Sequence, residues 1–240
     1  MSSYKAYVDQ WHSVDNRVLV TPSKDAVTSV QDAIRRRIEG VVAPAASECF
    51  DLVDEKTGML TGEKELRSVC HDKGLWHRAA HLWLYAPNGK MLMQLRGKDK
   101  DVMPNVWDIG IAGHIDAGEN ADDSVVREAF EESGLLPEQL KLRPLGIRKV
   151  AFEAAGYSKK LQAPVRADNR EFMSIYAMPF DGELSKLKVE KGEAQQFDLY
   201  TPNEVRSLAE KSLPLVKYFS DVASAIERLI AGKAPVDAIR

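Results

Sequence analysis

Between Asp25 and Glu39 the apolar side chains fall at Val27, Val30, Ile34 and Ile38, a spacing that predicts a helix with one buried face. Gly40 supplies a stop and Pro44 lies beyond it, so residues 41–46 read as a linker. The texture then changes. Cys49–Val53 is a short strand closed by the turn-prone stretch Asp54-Glu55-Lys56-Thr57-Gly58, and His77–Tyr85 sets Ala80, Leu82 and Leu84 on one strand face. Pro87-Asn88-Gly89 turns that strand into Lys90–Leu95 as a hairpin. Further strands are predicted at 106–111, 145–152, 172–178 and 197–200.

Helices punctuate these strands. Asn120 is a suitable N-cap for 120–133, with Asp122 and Asp123 at the positive end of the dipole and Gly134 as the stop. Val125, Val126, Ala129 and Phe130 would seat that helix on a core. Thr201-Pro202-Asn203-Glu204 is a capping-box opening for a helix to about residue 211. Val216, Phe219, Val222, Ala223, Ile226 and Ile230 stripe a last helix. Mixed strands with interspersed helices predict an α/β or α+β chain. Residues 1–45 are expected to be a helical extension and 46–235 the main domain.

Composition narrows the function. Apolar residues make up 44% of the 240, enough for a real core. The net charge of −3 argues against binding nucleic acid by phosphate neutralisation alone. No apolar run approaches a membrane span, no secretory leader is visible, and two cysteines are too few for a disulfide framework. A cytoplasmic protein with free thiols is the resulting expectation.

The chemistry concentrates between Gly113 and Leu135. Glu128, Glu131 and Glu132 stand at i, i+3 and i+4, so a helix projects all three from one face within about a turn. Like charges packed there repel, and bound cations reverse that cost. Hard carboxylate oxygens suit Mg²⁺ or Mn²⁺.

Gly113, Glu119, Arg127, Glu128, Glu131, Glu132, Gly134 and Leu135 stand at the spacing G-x5-E-x7-R-E-U-x-E-E-x-G-U, where U is aliphatic and Ala129 is a small substitute. This resembles the Nudix box. The resemblance implies an α/β/α sandwich with a mixed sheet, and a Mg²⁺- or Mn²⁺-dependent hydrolase of small diphosphates, possible as a homodimer. It also implies roles for particular residues. Glu128, Glu131 and Glu132 would be metal ligands, one of them a candidate general base, and the Ala112 carbonyl would complete a metal shell. Arg127 and Glu119 would brace the loop against the helix.

A second resemblance lies within the same superfamily. Gln94-x-Arg96-x3-Lys100-x3-Pro104-x2-Trp107, followed by Ala112-Gly113-His114, is similar to the type I isopentenyl diphosphate isomerase branch. It implies that Arg96 and Lys100 grip a diphosphate, that His77 and His114 match metal-binding histidines, and that Glu171 matches an acidic partner. His71 sits one residue off the expected spacing and is not carried over.

The isomerase's catalytic cysteine is Ala112 here, and alanine can neither deliver nor remove a proton. Hydrolysis is therefore the expected reaction, ahead of isomerisation or a non-catalytic binding module. Nucleoside diphosphate derivatives are the first substrates to consider and isoprenyl diphosphates the second. Other residues are weighed for packing or solvent roles: His77 and His81 as core residues beside Trp83, and Lys159, Lys160, Arg166 and Arg170 on a solvated loop. Glu193 is a further candidate metal ligand or base.

Overall fold

The computed structural model describes residues 31–33, 35, 48–100, 102–158, 162–189, 192–209 and 219–233. Most of the expected N-terminal helix, the linker, Lys159, Lys160 and Val216 lie outside these. Gln31, Asp32 and Ala33 are helical, and Ala33 is buried in the core.

β1 (Cys49–Val53) and β2 (Leu60–Leu66) form an antiparallel pair, and α1 (Arg67–Lys73) follows directly. The main sheet holds β3 (His77–Tyr85), β4 (Met91–Arg96), β5 (Trp107–Ile109), β6 (Ile111–His114), β7 (Arg143–Ser158), β8 (Ala163–Pro179) and β9 (Ala194–Tyr200). β3 and β8 are parallel and every other pairing is antiparallel. The sheet is mixed and splits along one edge of β3. After the Pro87–Gly89 turn, with Gly89 at φ +80, β4 stays paired to β3 only at Tyr85↔Met91. It then departs to pair with β5 and β9, while β6 takes its place opposite Ala79–Leu82. The predicted strand 106–111 is accordingly two strands, broken at Gly110.

Two cores lie on the two faces of this sheet. α2 (Ala121–Ser133) seats Val125, Val126 and Ala129 against Ala80, Leu82 and Leu84. α4 (Phe219–Ile230) seats Phe219, Val222, Ala223 and Ile226 against Trp83 and Met91. These layers are the α/β/α arrangement, in an α+β chain. Phe130 departs from the expectation: it is 40% exposed, and the small Ala129 is the core plug. α3 (Pro202–Ala209) has its capping box, with Thr201 N–H donating to Glu204 and Glu204 N–H donating to Thr201 Oγ1.

The stretch expected as a solvated loop before Glu171 is a β-ribbon instead. β7 and β8 pair from Arg143↔Ala177 out to Ser158↔Ala163 with one register shift between Pro144 and Gly146, and burial alternates along the outer part of the ribbon. The connection was obscured because Ala154, Ala155, Gly156 and Ala167 give no apolar alternation. Arg166 and Arg170 sit on this ribbon, paired with Glu153 and Asp168. Among the described residues no helix is long and apolar enough to cross a membrane.

Candidate functional site

β6 runs out of the sheet at His114 and the chain loops to α2. Asn120 caps the helix by accepting the Asp123 N–H at 2.9 Å, and Gly134 ends it in the left-handed conformation at φ +71. The loop is fastened from below by β1: Ala117 N–H donates to the Cys49 carbonyl, and Gly118 N–H donates to Asp51. Buried Arg78 joins Asp51 to the Glu119 carbonyl. Arg127 clamps loop to helix, donating to Glu119 at 2.9 and 3.2 Å and to the His114 carbonyl. Its Nη1 also reaches Glu128 at 2.7 Å and Glu131 at 3.2 Å. Burial opposes the Arg127 charge, but these carboxylates outweigh it and raise the pKa further.

Glu128, Glu131 and Glu132 line one wall of a cavity of about 620 Å³ in the split of the sheet. Burial pushes the Glu128 carboxyl up to about 7 even though Arg127 pulls it down. Glu132, buried and close to Glu128, is held well above the usual carboxylate range despite accepting hydrogen bonds from Ala112 N–H at 3.0 Å and from Gln94. Gly113 makes this packing possible. A Cβ there would stand 2.0 Å from Glu128 Oε1 and 2.1 Å from its Cδ. A buried acid, a second that is nearly buried and a third that is partly exposed, sharing the single cation Arg127, fit a hard divalent cation.

A second cluster borders the same cavity, which His71, His114 and Glu171 line and buried His77 backs. His71 on α1, His77 on β3, His114 on β6 and Glu171 on β8 offer ligand atoms all within 4.8 Å of one another. His77 Nδ1 donates to the Leu75 carbonyl at 2.8 Å, which leaves Nε2 as the atom turned to the cluster. The Nε2 atoms of His71, His77 and His114 are all buried without a well-formed hydrogen bond. Glu171 Oε1 lies 3.2 Å from His114 Nε2 and 3.7 Å from His77 Nε2.

Burial, reinforced by His114 and His77, pushes His71 down to about 3, and burial also lowers His114. Burial alone would raise Glu171, yet the two histidines hold it well below its ordinary range. A neutral His71 and His114 with an ionised Glu171 are the protonation states metal binding requires. Phe50 stacks on His77 and His114 at 5.1 and 4.6 Å between centroids, setting the rings nearly parallel.

Of the two readings of His77, the structure groups it with His114 and Glu171 as the resemblance implied, and His71, set aside on spacing, is the fourth member. α1 ends at Gly74 in the left-handed conformation before β3 begins, so His71 reaches the cluster from a helix, at a spacing to His77 one residue off the one expected. His81 lines the cavity outside the tetrad, and burial lowers its pKa.

The remaining candidates are at the mouth. Arg96 is engaged with the chain itself, donating to the Met103 and Val102 carbonyls and pairing with Asp108 at 3.3 Å. It holds the loop that carries Lys100. Lys100 lines the cavity and pairs with Glu193. Asn169, on the ribbon, donates to Glu171 at 3.0 Å, an interaction invisible from sequence.

A mixed sheet split open between two helical layers, with an acidic loop–helix and a histidine cluster at the split, defines the class of the molecule. The family follows from comparison. A family model described as NUDIX domain matches residues 75–219, and the chain belongs to that family. It is 32% identical over 149 residues to an uncharacterized Nudix hydrolase of Clostridium acetobutylicum, covering 61% of this chain and 66% of that protein. It is 43% identical over 179 residues to Nudix hydrolase 3 of Arabidopsis thaliana, covering 70% of this chain but 21% of the plant protein. The chain therefore spans under two thirds of the length of each relative. The isopentenyl-diphosphate Delta-isomerase of Streptomyces coelicolor is 36% identical over 91 residues, 38% of this chain and 49% of that enzyme. Among solved structures, DR0079 of Deinococcus radiodurans superimposes with a TM-score of 0.54 at 21% identity, over 72% of this chain and 98% of that one. That likeness shows the fold.

Proposed function

We propose that this chain is a cytoplasmic, Mg²⁺- or Mn²⁺-dependent pyrophosphohydrolase acting on a small diphosphate, with nucleoside diphosphate derivatives as the first class to test. The observation that carries this reading is the convergence of Glu128, Glu131 and Glu132 on one cavity wall, Glu132 buried and Glu128 nearly so, where burial outweighs the pull of Arg127 on Glu128. Divalent cations held by these carboxylates and the Ala112 carbonyl would neutralise the diphosphate and lower the pKa of water. Arg127 and Glu119 keep the loop and helix in register, so the carboxylates hold their positions while substrate enters. Lys100 meets the substrate's negative charge at the mouth, exchanging Glu193 for phosphate. Arg96 acts on Lys100 by fixing its loop. The His71–His77–His114–Glu171 tetrad would hold a softer cation, since imidazole suits borderline metals.

Isomerisation finds no support in the cavity wall. Ala112 lines it where the isomerase branch has cysteine, and neither Cys49 nor Cys70 does. The test is a screen of nucleoside and isoprenyl diphosphates with and without Mg²⁺, reading released phosphate or monophosphate. Chelator-sensitive hydrolysis supports the proposal. Full turnover in excess chelator, or inertness toward all diphosphates, would defeat it.

A further inference from the structure

Gln94 interrupts an otherwise apolar run, Met91-Leu92-Met93, on β4. It is 5% exposed and fixed on both sides, opposite Asp108 of β5 and Phe197 of β9. A glutamine at the middle of a three-strand ladder cannot swing to solvent. Its side chain hydrogen-bonds Glu132 and lines the cavity that Glu128, Glu131 and Glu132 share. The bond to Glu132 does not use Oε1, so the amide nitrogen of Gln94 is the atom facing Glu132. This turns Oε1 the other way, where it is buried and has no hydrogen-bond partner among the described residues. A buried amide oxygen left unpaired is costly, and a donor entering the cavity would relieve it.

We propose that Gln94 is a positioning residue of the hydrolytic site: its Nε2 fixes Glu132, and its Oε1 accepts a hydrogen bond from the attacking water. This rests on the pyrophosphohydrolase reading. In that reaction the water oxygen bonds to phosphorus and the bridging P–O bond breaks. Its electron pair leaves with the departing phosphate, and the water proton passes to a box carboxylate. Gln94 itself gains and loses nothing. It supplies direction, restricting the rotation of the water and the rotamer of Glu132, without adding charge to a face that already carries three carboxylates.

Gln94→Met tests this, since methionine keeps length and volume but removes both hydrogen bonds. Gln94→Asn keeps the amide but withdraws it by one methylene, and is read in its place if the methionine variant fails to melt cooperatively. Steady-state constants are measured on the full chain with the diphosphate the wild type hydrolyses fastest, at saturating Mg²⁺. Mn²⁺ binding without substrate is followed separately by the paramagnetic resonance of free Mn²⁺. We expect kcat to fall ~30- to 100-fold with KM within about twofold. Mn²⁺ affinity should fall about tenfold, because Glu132 loses one of two orienting donors. A folded Gln94→Met with kcat within about threefold of wild type, or with unaltered Mn²⁺ affinity, would overturn the inference. If the wild type hydrolyses no diphosphate, the hydrolase reading fails on its own, and the Mn²⁺ comparison still decides whether Gln94 positions Glu132.

Discussion

Gly113→Ala should separate activity from stability. Gly113 is not among the glycines with positive φ, so alanine fits its backbone. The conflict is with one side chain. The new Cβ would stand 2.0 Å from Glu128 Oε1, 2.1 Å from Cδ and 2.6 Å from Oε2, whereas ordinary contact begins near 3.4 Å. The carboxylate must retreat by about 1.4 Å, and being the far end of a flexible side chain it can do so. It would leave its 2.7 Å bond to Arg127 and its place in the acid face. A misplacement of ~1 Å at a reacting centre costs about a hundredfold in rate. The fold loses little, and reduced freedom of the unfolded chain returns roughly 0.4–1 kcal/mol. The expected outcome is a melting temperature equal to or above wild type with kcat lowered about a hundredfold. Chelator-sensitive turnover and thermal melting, measured on the same preparation, check it. Activity within about threefold of wild type would refute the argument that Glu128 depends on the missing methyl group.

Three other outcomes follow from the same geometry. Glu132→Gln should cut turnover by at least ~100-fold, about 3 kcal/mol in the barrier, while substitution of exposed Glu227 on α4 by Gln leaves it unchanged; equal activities would dissolve the distinction between the acid face and a solvated one. In metal-free protein Glu128, pushed up to about 7, retains a proton that the unfolded chain has released above about 4.5. Stability should therefore fall as pH rises through that window, by about 3 kcal/mol at most; Mg²⁺ should flatten the trend, and a level melting profile in chelator would contradict it. Burial pushes the Cys70 thiol up to about 11, so native protein at pH 8 should take alkylating reagent at half-buried Cys49 but not at Cys70, with mass spectrometry of the peptides as the readout.

The acidic loop–helix was legible because its geometry is local: one helix, one N-cap and one glycine stop set where three glutamates point. The tetrad was not, because it is assembled across α1, β3, β6 and β8. His77, His114 and Glu171 were reached through resemblance, with packing as the rival reading of His77, and His71 was set aside. β2 and α1 were missed as well, since Leu60–Leu66 is almost wholly exposed and lacks an apolar alternation. Phe50 and His71 precede residue 75, where the family match begins, so the site draws on chain outside the recognised domain. Gln94 gave one signal in sequence, a lone polar residue in a buried strand, whose meaning depends on the helix that faces it.

The pairing of β3 with β8 also bears on how this chain reaches its native state. His77 and Glu171 are direct partners across that ladder, although they are roughly ninety positions apart in sequence. Such a contact is made only after a long loop has closed, and a pairing of this range forms slowly. The tetrad cannot be populated in a partly assembled chain, because its ligands meet only when the central pair has zipped. An ion held there would therefore recognise completed molecules alone, and its binding would draw the refolding equilibrium toward them.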